Sequence, residues 1–307
     1  MIVSRGTDIL NSEGLVATIG FFDGVHLGHR FLIEELKRIA KDRGLPSAVI
    51  TFSAHPRTVL QTDFHPSLLN TPEEKLAQLE STGLDYCIVL DFSKELSLLS
   101  AKDFITKVLK ERFNVNTLLI GYDHRFGHDR RDGFEQYVTY GAECGIDVLK
   151  ASPFETEHET VSSSVIRNKL LNGNVEDAAK LLSYPFSLTG QIVNGYKIGR
   201  KLGFPTANIN VDNPDKLVPA IGIYAVWVYV DQEKYKGMLY IGNRPTLQNG
   251  NDITMEVNIL NFNKDIYNSR ITVSFIAYVR EDRRFDTLDE LKDQLEEDRK
   301  VVDQILQ

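Results

Sequence analysis

GFFDGVHLGH, residues 20–29, stands between an apolar run at Leu15–Ile19 and a segment whose apolar residues recur at helical spacing from Phe31 onward. This arrangement predicts a turn that leads from a strand into a helix. Three glycines in the turn would let the backbone approach a ligand closely. A helix N-terminus favours a phosphate group, because it presents backbone N–H groups and the positive end of the helix dipole. The stretch therefore predicts a nucleotide-handling site.

His26 and His29 lie three residues apart, so they share a face of the first helical turn and can point at the same anion. A metal site would need further His, Cys or carboxylate ligands, and none is suitably spaced nearby. A structural pair is the ordinary interpretation of an isolated H-x-x-H, but the glycine-rich turn favours contact with a phosphate. The sequence lacks the pattern G-x-x-x-x-G-K-[ST], so this turn is not a P-loop. It also lacks G-x-G-x-x-G, which disfavours an NAD-binding fold.

Outward from this turn, the first half of the chain alternates short apolar runs with helical patterns. The predicted strands are Leu15–Ile19, Ala48–Phe52, Tyr86–Leu90, Thr117–Ile120 and Ile146–Leu149, and the predicted helices between them are Phe31–Arg43, Pro72–Ser81, Ala101–Phe113 and Gly133–Cys144. This alternation predicts a parallel, doubly wound sheet, in which ligands bind beyond the carboxyl ends of the strands. Residues 20–29, Ser53–Arg57 and Gly121–Gly127 each follow a strand, so we expect them to share one cleft.

The second half of the chain changes to a β-rich pattern after two further helices, Ser162–Leu171 and Val175–Leu182. Predicted strands follow at Ser187–Val193, Tyr224–Val230, Tyr235–Ile241, Thr254–Leu260 and Ile271–Val279. Short strands without intervening helices predict a small antiparallel barrel. The terminal helix is predicted at Thr287–Leu306, with Thr287 and Glu290 forming a capping box. We therefore expect two domains, residues 1–182 and 183–307.

Composition and charge narrow the functional classes. The 307 residues carry 35 basic and 43 acidic side chains, a net charge of −8, which disfavours nucleic-acid binding. Cys87 and Cys144 are predicted to be free thiols of a reducing compartment rather than a disulfide. No signal peptide or apolar run of membrane-spanning length is visible. The expectation is a cytoplasmic protein that acts on small molecules, with no membrane or nucleic-acid partner and an undetermined oligomeric state.

Two further motifs carry candidate chemistry. VSSSVIR, residues 161–167, would alone be an ordinary capped helix, but with the histidine turn its hydroxyls and Arg167 could bind a departing pyrophosphate. GYKIGRKLGFPTAN, residues 195–208, is either a basic hairpin loop or a phosphate-binding loop with the cations Lys197 and Arg200. In the second case the oxygen atoms of Thr206 and Asn208 would suit Mg²⁺.

These motifs together resemble known families. GFFDGVHLGH with SSSVIR is similar to the nucleotidylyltransferase superfamily, and its F-D-G-x-H-x-G-H form resembles the flavin adenylyltransferase module of bacterial bifunctional riboflavin kinase/FAD synthetases. GYKIGRKLGFPTAN resembles the nucleotide-binding signature of riboflavin kinases, and YIGNRPT at 240–246 and REDRRFDTL at 280–288 resemble other segments of that family. The resemblance implies an α/β plus β fold: a Rossmann-like nucleotidylyltransferase domain followed by a riboflavin-kinase Greek-key β-barrel with a terminal helix.

The resemblance also implies the chemistry. ATP would phosphorylate riboflavin to FMN, and a second ATP would adenylylate FMN to FAD with release of pyrophosphate. The implied catalytic residues are His26, His29, Arg167 and Glu256, of which Glu256 would accept the proton of the riboflavin 5′-hydroxyl. Asn258 stands where the family often has a histidine, and His124 stands where it usually has an aromatic residue such as Phe.

The implied binding residues fall into three groups. ATP would be bound by Gly20, Phe21, Asp23, His26, His29, Ser163, Ser164 and Arg167 in one site, and by Gly195, Gly199, Arg200, Thr206 and Asn208 in the other. Thr206 and Asn208 would also hold Mg²⁺, and the flavin would lie near Phe52, Arg57, Asp123, Arg125 and Phe126. The alternatives are an enzyme with only one of the two activities, a flavin-binding protein without turnover, and a transfer-RNA-binding relative of the aminoacyl synthetases.

Overall fold

The structure is a computed structural model that describes residues 1–6, 13–61, 63–122, 125–128, 131–154, 160–193, 199, 202–243 and 253–307. The chain forms two compact units, Met1–Ser162 and Ser163–Gln307. In the described part of the chain, every helix is too short or too polar to cross a membrane.

The first unit is built on a six-stranded parallel sheet with the order β1-β4-β3-β2-β5-β6. Its strands are β1 Ile2–Ser4, β2 Leu15–Ile19, β3 Ser47–Phe52, β4 Tyr86–Leu90, β5 Val115–Ile120 and β6 Asp147–Lys150. From β2 the chain winds to β3 and β4 on one side and then returns to β5 on the other side. The strand order reverses between β2 and β5, which is where doubly wound sheets bind ligands.

Helices cover both faces of this sheet. They are α1 Leu27–Arg43, α2 Pro56–Leu60, α3 Pro72–Glu80, α4 Lys94–Ser97, α5 Ala101–Asp103 with a π-helix continuing it over Phe104–Arg112, and α6 Phe134–Cys144. Leu15 and Ala17 of β2 pack against the π-helix and α6, while Val16 packs against α1 and α3. The Rossmann-like fold predicted from the sequence is confirmed; β1, α2 and α4 were not predicted because they are only three to five residues long.

The second unit is a closed antiparallel barrel with the order β10-β11-β8-β7-β12-β9. Its elements are α7 Ser163–Leu171, α8 Val175–Leu182, β7 Ser187–Val193, β8 Ala207–Val211, β9 Gly222–Val230, β10 Glu233–Asn243, β11 Ile253–Ile259, β12 Arg270–Arg280 and the terminal helix α9 Leu288–Ile305. β9, β10 and β11 form a meander and β12 returns to pair with β9, which is the Greek-key arrangement. The predicted barrel is therefore confirmed.

Helices α7 and α8 pack within the barrel unit. The N–H of Ala220 donates to the carbonyl of Leu170 at 3.0 Å, and the N–H of Tyr278 donates to the carboxylate of Glu176 at 3.3 Å. Gly173 adjoins the ring of Tyr278, where an added Cβ would come within 3.1 Å of the ring. The compact unit thus begins at Ser163, before the residue at which the β-rich sequence pattern starts.

The terminal helix α9 is fixed to the barrel by a buried ion pair. The guanidinium of Arg280 at the end of β12 donates through Nε and Nη2 to the carboxylate of Asp298, at 2.7–3.1 Å, and the side chain of Asp298 is only 2% exposed. The amide of Gln294 donates to the same carboxylate at 2.8 Å. Thr287 caps α9 as predicted, whereas Glu290 accepts from the N–H of Asp286 instead of completing the capping box.

Both cysteines are free thiols, as the sequence predicts. Cys87 lies in β4 and is buried, and its burial raises the pKa of the thiol to about 11. Cys144 at the end of α6 is half-buried.

Removal of the Arg280 charge should destabilise the barrel unit. Arg280→Met leaves the carboxylate of Asp298 buried without its cation, so we expect the free energy of unfolding to fall by about 3–5 kcal/mol. Trp227, the only tryptophan, lies in β9 and reports unfolding of this unit by fluorescence during urea titration.

Two controls accompany this measurement. The double variant Arg280→Met/Asp298→Leu should recover most of the loss, because no charge is then left buried. Lys264→Met, which removes an exposed ion pair with Glu233, should change stability by less than about 1 kcal/mol. Equal effects of Arg280→Met and Lys264→Met would contradict the prediction.

Candidate functional site

The turn between β2 and α1 is strained and tightly packed. Phe22, Gly24 and Val25 have φ angles of 56°, 85° and 36°, in the left-handed region. For Phe22 and Val25 such angles cost about 1–3 kcal/mol each, and both side chains are buried in the core, which offsets this cost. Gly20 packs closely beside them, because a Cβ there would come within 3.0 Å of the ring of Phe22 and would force it to shift. Strain of this kind is concentrated at functional sites.

His26 and His29 are brought together as the sequence predicts. Their rings stack with centroids 3.7 Å apart at the start of α1. His26 is the N-cap of the helix, and its Nδ1 accepts a hydrogen bond from the N–H of His29 at 3.4 Å. Because Nδ1 is an acceptor, a neutral His26 carries its proton on Nε2, which can donate to an oxygen atom.

Asp23 fixes the turn to the segment that precedes α3. Its carboxylate is 4% exposed and accepts hydrogen bonds from the backbone N–H groups of Leu69, at 3.0 and 3.1 Å, and Asn70, at 3.1 Å. Asp23 therefore shapes the turn through the backbone.

Lys75 of α3 lies beneath the same turn and was not identified from the sequence. Its ammonium group is 5% exposed and donates to the carbonyls of Phe21 and Phe52 and to the hydroxyl of Thr51, at 2.9–3.2 Å. Burial lowers the pKa of Lys75 to about 8. The sequence does contain one sign of this buried lysine. Lys75 stands four residues before Leu79, on the apolar face of an amphipathic helix, where lysine is rare.

The predicted flavin residues follow strands that flank β2. Phe52 ends β3 and packs edge-to-face on Phe92, with centroids 5.4 Å apart. Arg57 of α2 lies over the ring of Phe64, and the exposed Arg125 follows β5. The ring of Phe126 stacks on Tyr137 at 4.3 Å, so one of its faces is occupied by the protein. These residues lie at one edge of the sheet, while Asp123 and His124 lie outside the described residues.

Ser163, Ser164 and Arg167 are all on α7, which belongs to the barrel unit. Ser163 is the first residue of this helix, one residue after the predicted start at Ser162. Ser164 is exposed and Arg167 is half-buried. The sequence motif that was paired with the histidine turn is thus carried by the second compact unit.

A second cluster lies on the barrel, where β8 pairs with β11. The hydroxyl of Thr206 donates to Oε2 of Glu256 at 2.9 Å. Asn208 is the direct cross-strand partner of Glu256, so their side chains are on the same face of the barrel. The structure therefore brings together the three barrel residues for which the sequence analysis predicted roles in metal binding and proton transfer.

The turn that leads to Thr206 depends on Gly199. The carbonyl of Gly199 accepts from the N–H groups of Leu202 and Phe204, at 3.0 and 2.9 Å. A Cβ on Gly199 would come within 2.2 Å of the carbonyl oxygen of Phe204, so any larger residue would open this turn. Gly195, Lys197 and Arg200 lie outside the described residues.

Two further residues support this cluster and were missed as site residues. Asn258 is buried and donates to the carbonyl of Pro205 at 2.7 Å, which fixes the turn before Thr206. Tyr240 is the cross-strand neighbour of Glu256 on β10 and donates to Asp282 at 3.1 Å. Burial, together with the carboxylates of Asp282 and Glu256, raises the pKa of Tyr240 to about 12.

The ligand chemistry of the two clusters differs. Among the described residues no group of three or more His, Cys, Asp or Glu side chains could hold a metal ion. The hydroxyl of Thr206 and the amide of Asn208 are hard oxygen donors, which suit Mg²⁺ when substrate phosphates and water supply the other ligands. The histidine pair at the start of α1 suits an anion.

The comparison with family models divides the chain into two parts. A model described as FAD synthetase matches residues 8–165, and a model described as riboflavin kinase matches residues 182–306. Each model covers one of the two clusters, and neither includes Arg167.

Relatives and a solved structure cover nearly the whole chain. The chain is 36% identical over 287 residues to the bifunctional riboflavin kinase/FMN adenylyltransferase of Escherichia coli. This match covers 93% of this chain and 91% of the relative. The enzyme of the same name from Bacillus subtilis is 36% identical over 92% of this chain and 90% of its own length. A crystal structure described as a macrolide-efflux protein from Streptococcus pneumoniae matches with a TM-score of 0.88 and 33% identity over 98% of both chains.

The carboxylate of Asp23 should be required for the shape of the β2–α1 turn. Asp23→Asn places an NH₂ group or a weaker acceptor against the N–H groups of Leu69 and Asn70, so we expect a loss of about 1–3 kcal/mol in local stability. Amide hydrogen exchange at residues 69 and 70 measures this loss of local stability, and we expect the exchange to become faster. Asp42→Asn, at an exposed carboxylate of α1, is the matched control and should leave this exchange unchanged. Unchanged exchange in Asp23→Asn would contradict the prediction.

Proposed function

The chain belongs to the bifunctional riboflavin kinases/FMN adenylyltransferases, and from that premise we propose how its residues divide the two reactions. The enzyme phosphorylates riboflavin with ATP to give FMN, and it then transfers AMP from a second ATP to FMN to give FAD and pyrophosphate. Both domain models and the curated relatives agree on these activities, so we take the function from them rather than from the name of the Streptococcus pneumoniae structure.

We assign riboflavin phosphorylation to the cluster on the barrel. The observation that carries this assignment is the 2.9 Å hydrogen bond between Thr206 and Glu256, beside Asn208. It orients the carboxylate through Oε2, while Oε1 accepts no hydrogen bond from the described residues. Oε1 is thus the atom that would accept the proton of the riboflavin 5′-hydroxyl as that hydroxyl attacks the γ-phosphorus of ATP. Direct in-line transfer requires no protein nucleophile, so positioning and charge neutralisation supply most of the catalysis.

The metal-binding residues of this site would be Thr206 and Asn208. The hydroxyl of Thr206 gives its proton to Glu256, so its oxygen keeps a lone pair for a cation. Bound Mg²⁺ would supply positive charge against the ATP phosphates. Gly199 holds the turn that positions Thr206, and Gly195 and Arg200 complete the proposed ATP-binding loop on sequence grounds alone.

We assign the adenylyl transfer to the β2–α1 turn. A phosphate oxygen of FMN attacks the α-phosphorus of ATP, the bond to the β-phosphate oxygen breaks, and pyrophosphate leaves. His26 and His29 would donate to phosphate oxygens as charge develops on them, and the N-terminus of α1 adds its positive dipole end. Gly20, Phe21 and Asp23 would shape the ATP side of this turn. On the grounds of the sequence motif alone, Ser163, Ser164 and Arg167 would contact the phosphates.

The flavin of the adenylyl transfer would lie at the carboxyl edge of the sheet, near Phe52, Arg57, Asp123, Arg125 and Phe126. The functional domains are proposed as residues 1–182 and 183–307, although α7 and α8 pack with the barrel. A cytoplasmic location, and substrates confined to riboflavin, FMN and ATP, remain predictions of the sequence.

His26 should be needed for FAD formation but not for FMN formation. Asn is a good N-cap residue, so His26→Asn restores the cap that His26→Ala removes and isolates the imidazole. If the imidazole contacts phosphate, both variants lose about 10²–10³-fold in the rate of FAD formation from FMN. Chromatography of flavins after incubation with ATP and Mg²⁺ measures both products. A full FAD rate in His26→Asn would show that His26 only caps the helix.

Glu256 and Thr206 should have the opposite effect. Glu256→Gln keeps the shape but removes the base, so FMN formation from riboflavin should fall about 10²–10⁴-fold while FAD formation from supplied FMN persists. Thr206→Val should raise the Mg²⁺ concentration needed for half-maximal FMN formation, and Thr206→Ser should not. Glu233→Gln, at the exposed first residue of β10, is the control. Retention of FMN formation in Glu256→Gln would refute the assignment.

A further inference from the structure

The ammonium group of Lys75 is fully hydrogen-bonded inside the N-terminal unit. Its three donors are matched by three acceptors, the carbonyls of Phe21 and Phe52 and the hydroxyl of Thr51. Thr51 is itself fully buried and donates to the carbonyl of Phe21 at 3.0 Å. Lys75 has no carboxylate within ion-pair distance among the described residues. Its charge is therefore held by backbone and hydroxyl oxygens alone.

The position of this charge links two parts of the proposed site. Phe21 lies in the turn that would shape the ATP side, and Phe52 ends the strand that would carry the flavin side. The ammonium also lies 4.3 Å from the centroid of the Phe21 ring, which it attracts as a cation. One group thus fixes the backbone on both sides of the place where the two substrates would meet.

Asp23 and Lys75 together form a reciprocal clamp between the turn and α3. Asp23 reaches from the turn to the N–H groups of Leu69 and Asn70, just before α3 begins. Lys75 reaches from α3 back to the carbonyl of Phe21 in the turn. A buried lysine is costly, and an apolar residue of the same size would serve packing alone at least as well. Packing alone therefore does not account for a charged side chain at this position.

We propose that Lys75 is a positioning residue for adenylyl transfer, whose ammonium group sets the spacing between the ATP-side backbone at Phe21 and the flavin-side backbone at Phe52. The inference rests on the proposed function of the β2–α1 turn. Lys75 acts through the backbone that it holds, because its three donors are already used and it has none left for a substrate.

The test compares Lys75→Met with Lys37→Met in the full-length protein. Lys37 of α1 is the matched control, because its ammonium also donates to a backbone carbonyl, that of Thr82, at 2.6 Å, but lies ten residues after the first residue of α1. We expect Lys75→Met to lower kcat for FAD formation about tenfold to hundredfold, with a smaller change in the KM for FMN and ATP. Lys37→Met should keep both values, and both variants should keep the rate of FMN formation.

The pH profile separates the charge from simple packing. Two titratable groups interact with the ammonium, Asp23 from the turn and Cys87 from β4, and His55 lies against the ring of Phe21. Burial lowers the pKa of Lys75 to about 8 and raises that of Cys87 to about 11, so Lys75 loses its charge first as the pH rises. The ratio of the wild-type rate to the Lys75→Met rate should be largest near pH 7 and shrink toward pH 9.5. A ratio that does not change with pH would overturn the charge role.

A second variant keeps the proposal testable if Lys75→Met does not fold. Thr51→Val preserves shape and removes one of the three acceptors of Lys75, so it should lower kcat for FAD formation in the same direction by a few-fold. If Lys75→Met folds and keeps the wild-type kcat and KM for FAD formation, the proposal is overturned. If Lys75→Met does not fold, the same result in Thr51→Val overturns it. Failure of the wild-type protein to form FAD would instead overturn the proposed function of the turn.

Discussion

Two buried charges of opposite sign hold the turn between β2 and α1, and the N-terminal unit depends on them. The turn places Phe22 and Val25 in left-handed backbone conformations that L-residues avoid, so it needs support from outside. Asp23 supplies this support toward the residues before α3, and Lys75 supplies it from α3 toward the turn. With both in place, the histidine pair and the start of α1 have a fixed position relative to the end of β3.

In the barrel, the proposed site residues are held in position by strand pairing and not by buried charges. Cross-strand neighbours place Asn208, Glu256 and Tyr240 in one row on the outer face, and the row continues through Ile223 to Arg280. Register fixes which side chains share this face, because a shift of one residue would turn each of them to the other side. The ion pair of Arg280 with Asp298 then fastens the terminal helix over the same end of the barrel.

The two sites differ in how they would stabilise charge, and this follows from their frameworks. A parallel strand followed by a helix presents a helix N-terminus, which suits the anionic phosphates of an adenylyl transfer. An antiparallel barrel offers alternating side chains along neighbouring strands, so hydroxyl, amide and carboxylate oxygens can be set side by side for a cation and a proton. In the proposed assignment the two phosphate-transfer reactions use different residues on two different frameworks. Arg167 is assigned to the adenylyl transfer although its helix, α7, belongs to the barrel unit.

The sequence by itself determined the fold class of both units, the order of most of their elements and the family, because hydrophobic periodicity, glycine positions and contiguous motifs are local properties of the chain. It also placed Glu256, Thr206 and Asn208 in one proposed site, which strand register then brought together. Only the tertiary structure identified Lys75, Asn258 and Tyr240 as supports. Their partners are 23 to 54 residues away for Lys75, 53 for Asn258 and 42 for Tyr240, and no local pattern encodes such contacts. The tertiary structure likewise decided that α7 packs with the barrel, since packing depends on which surfaces meet in the folded chain.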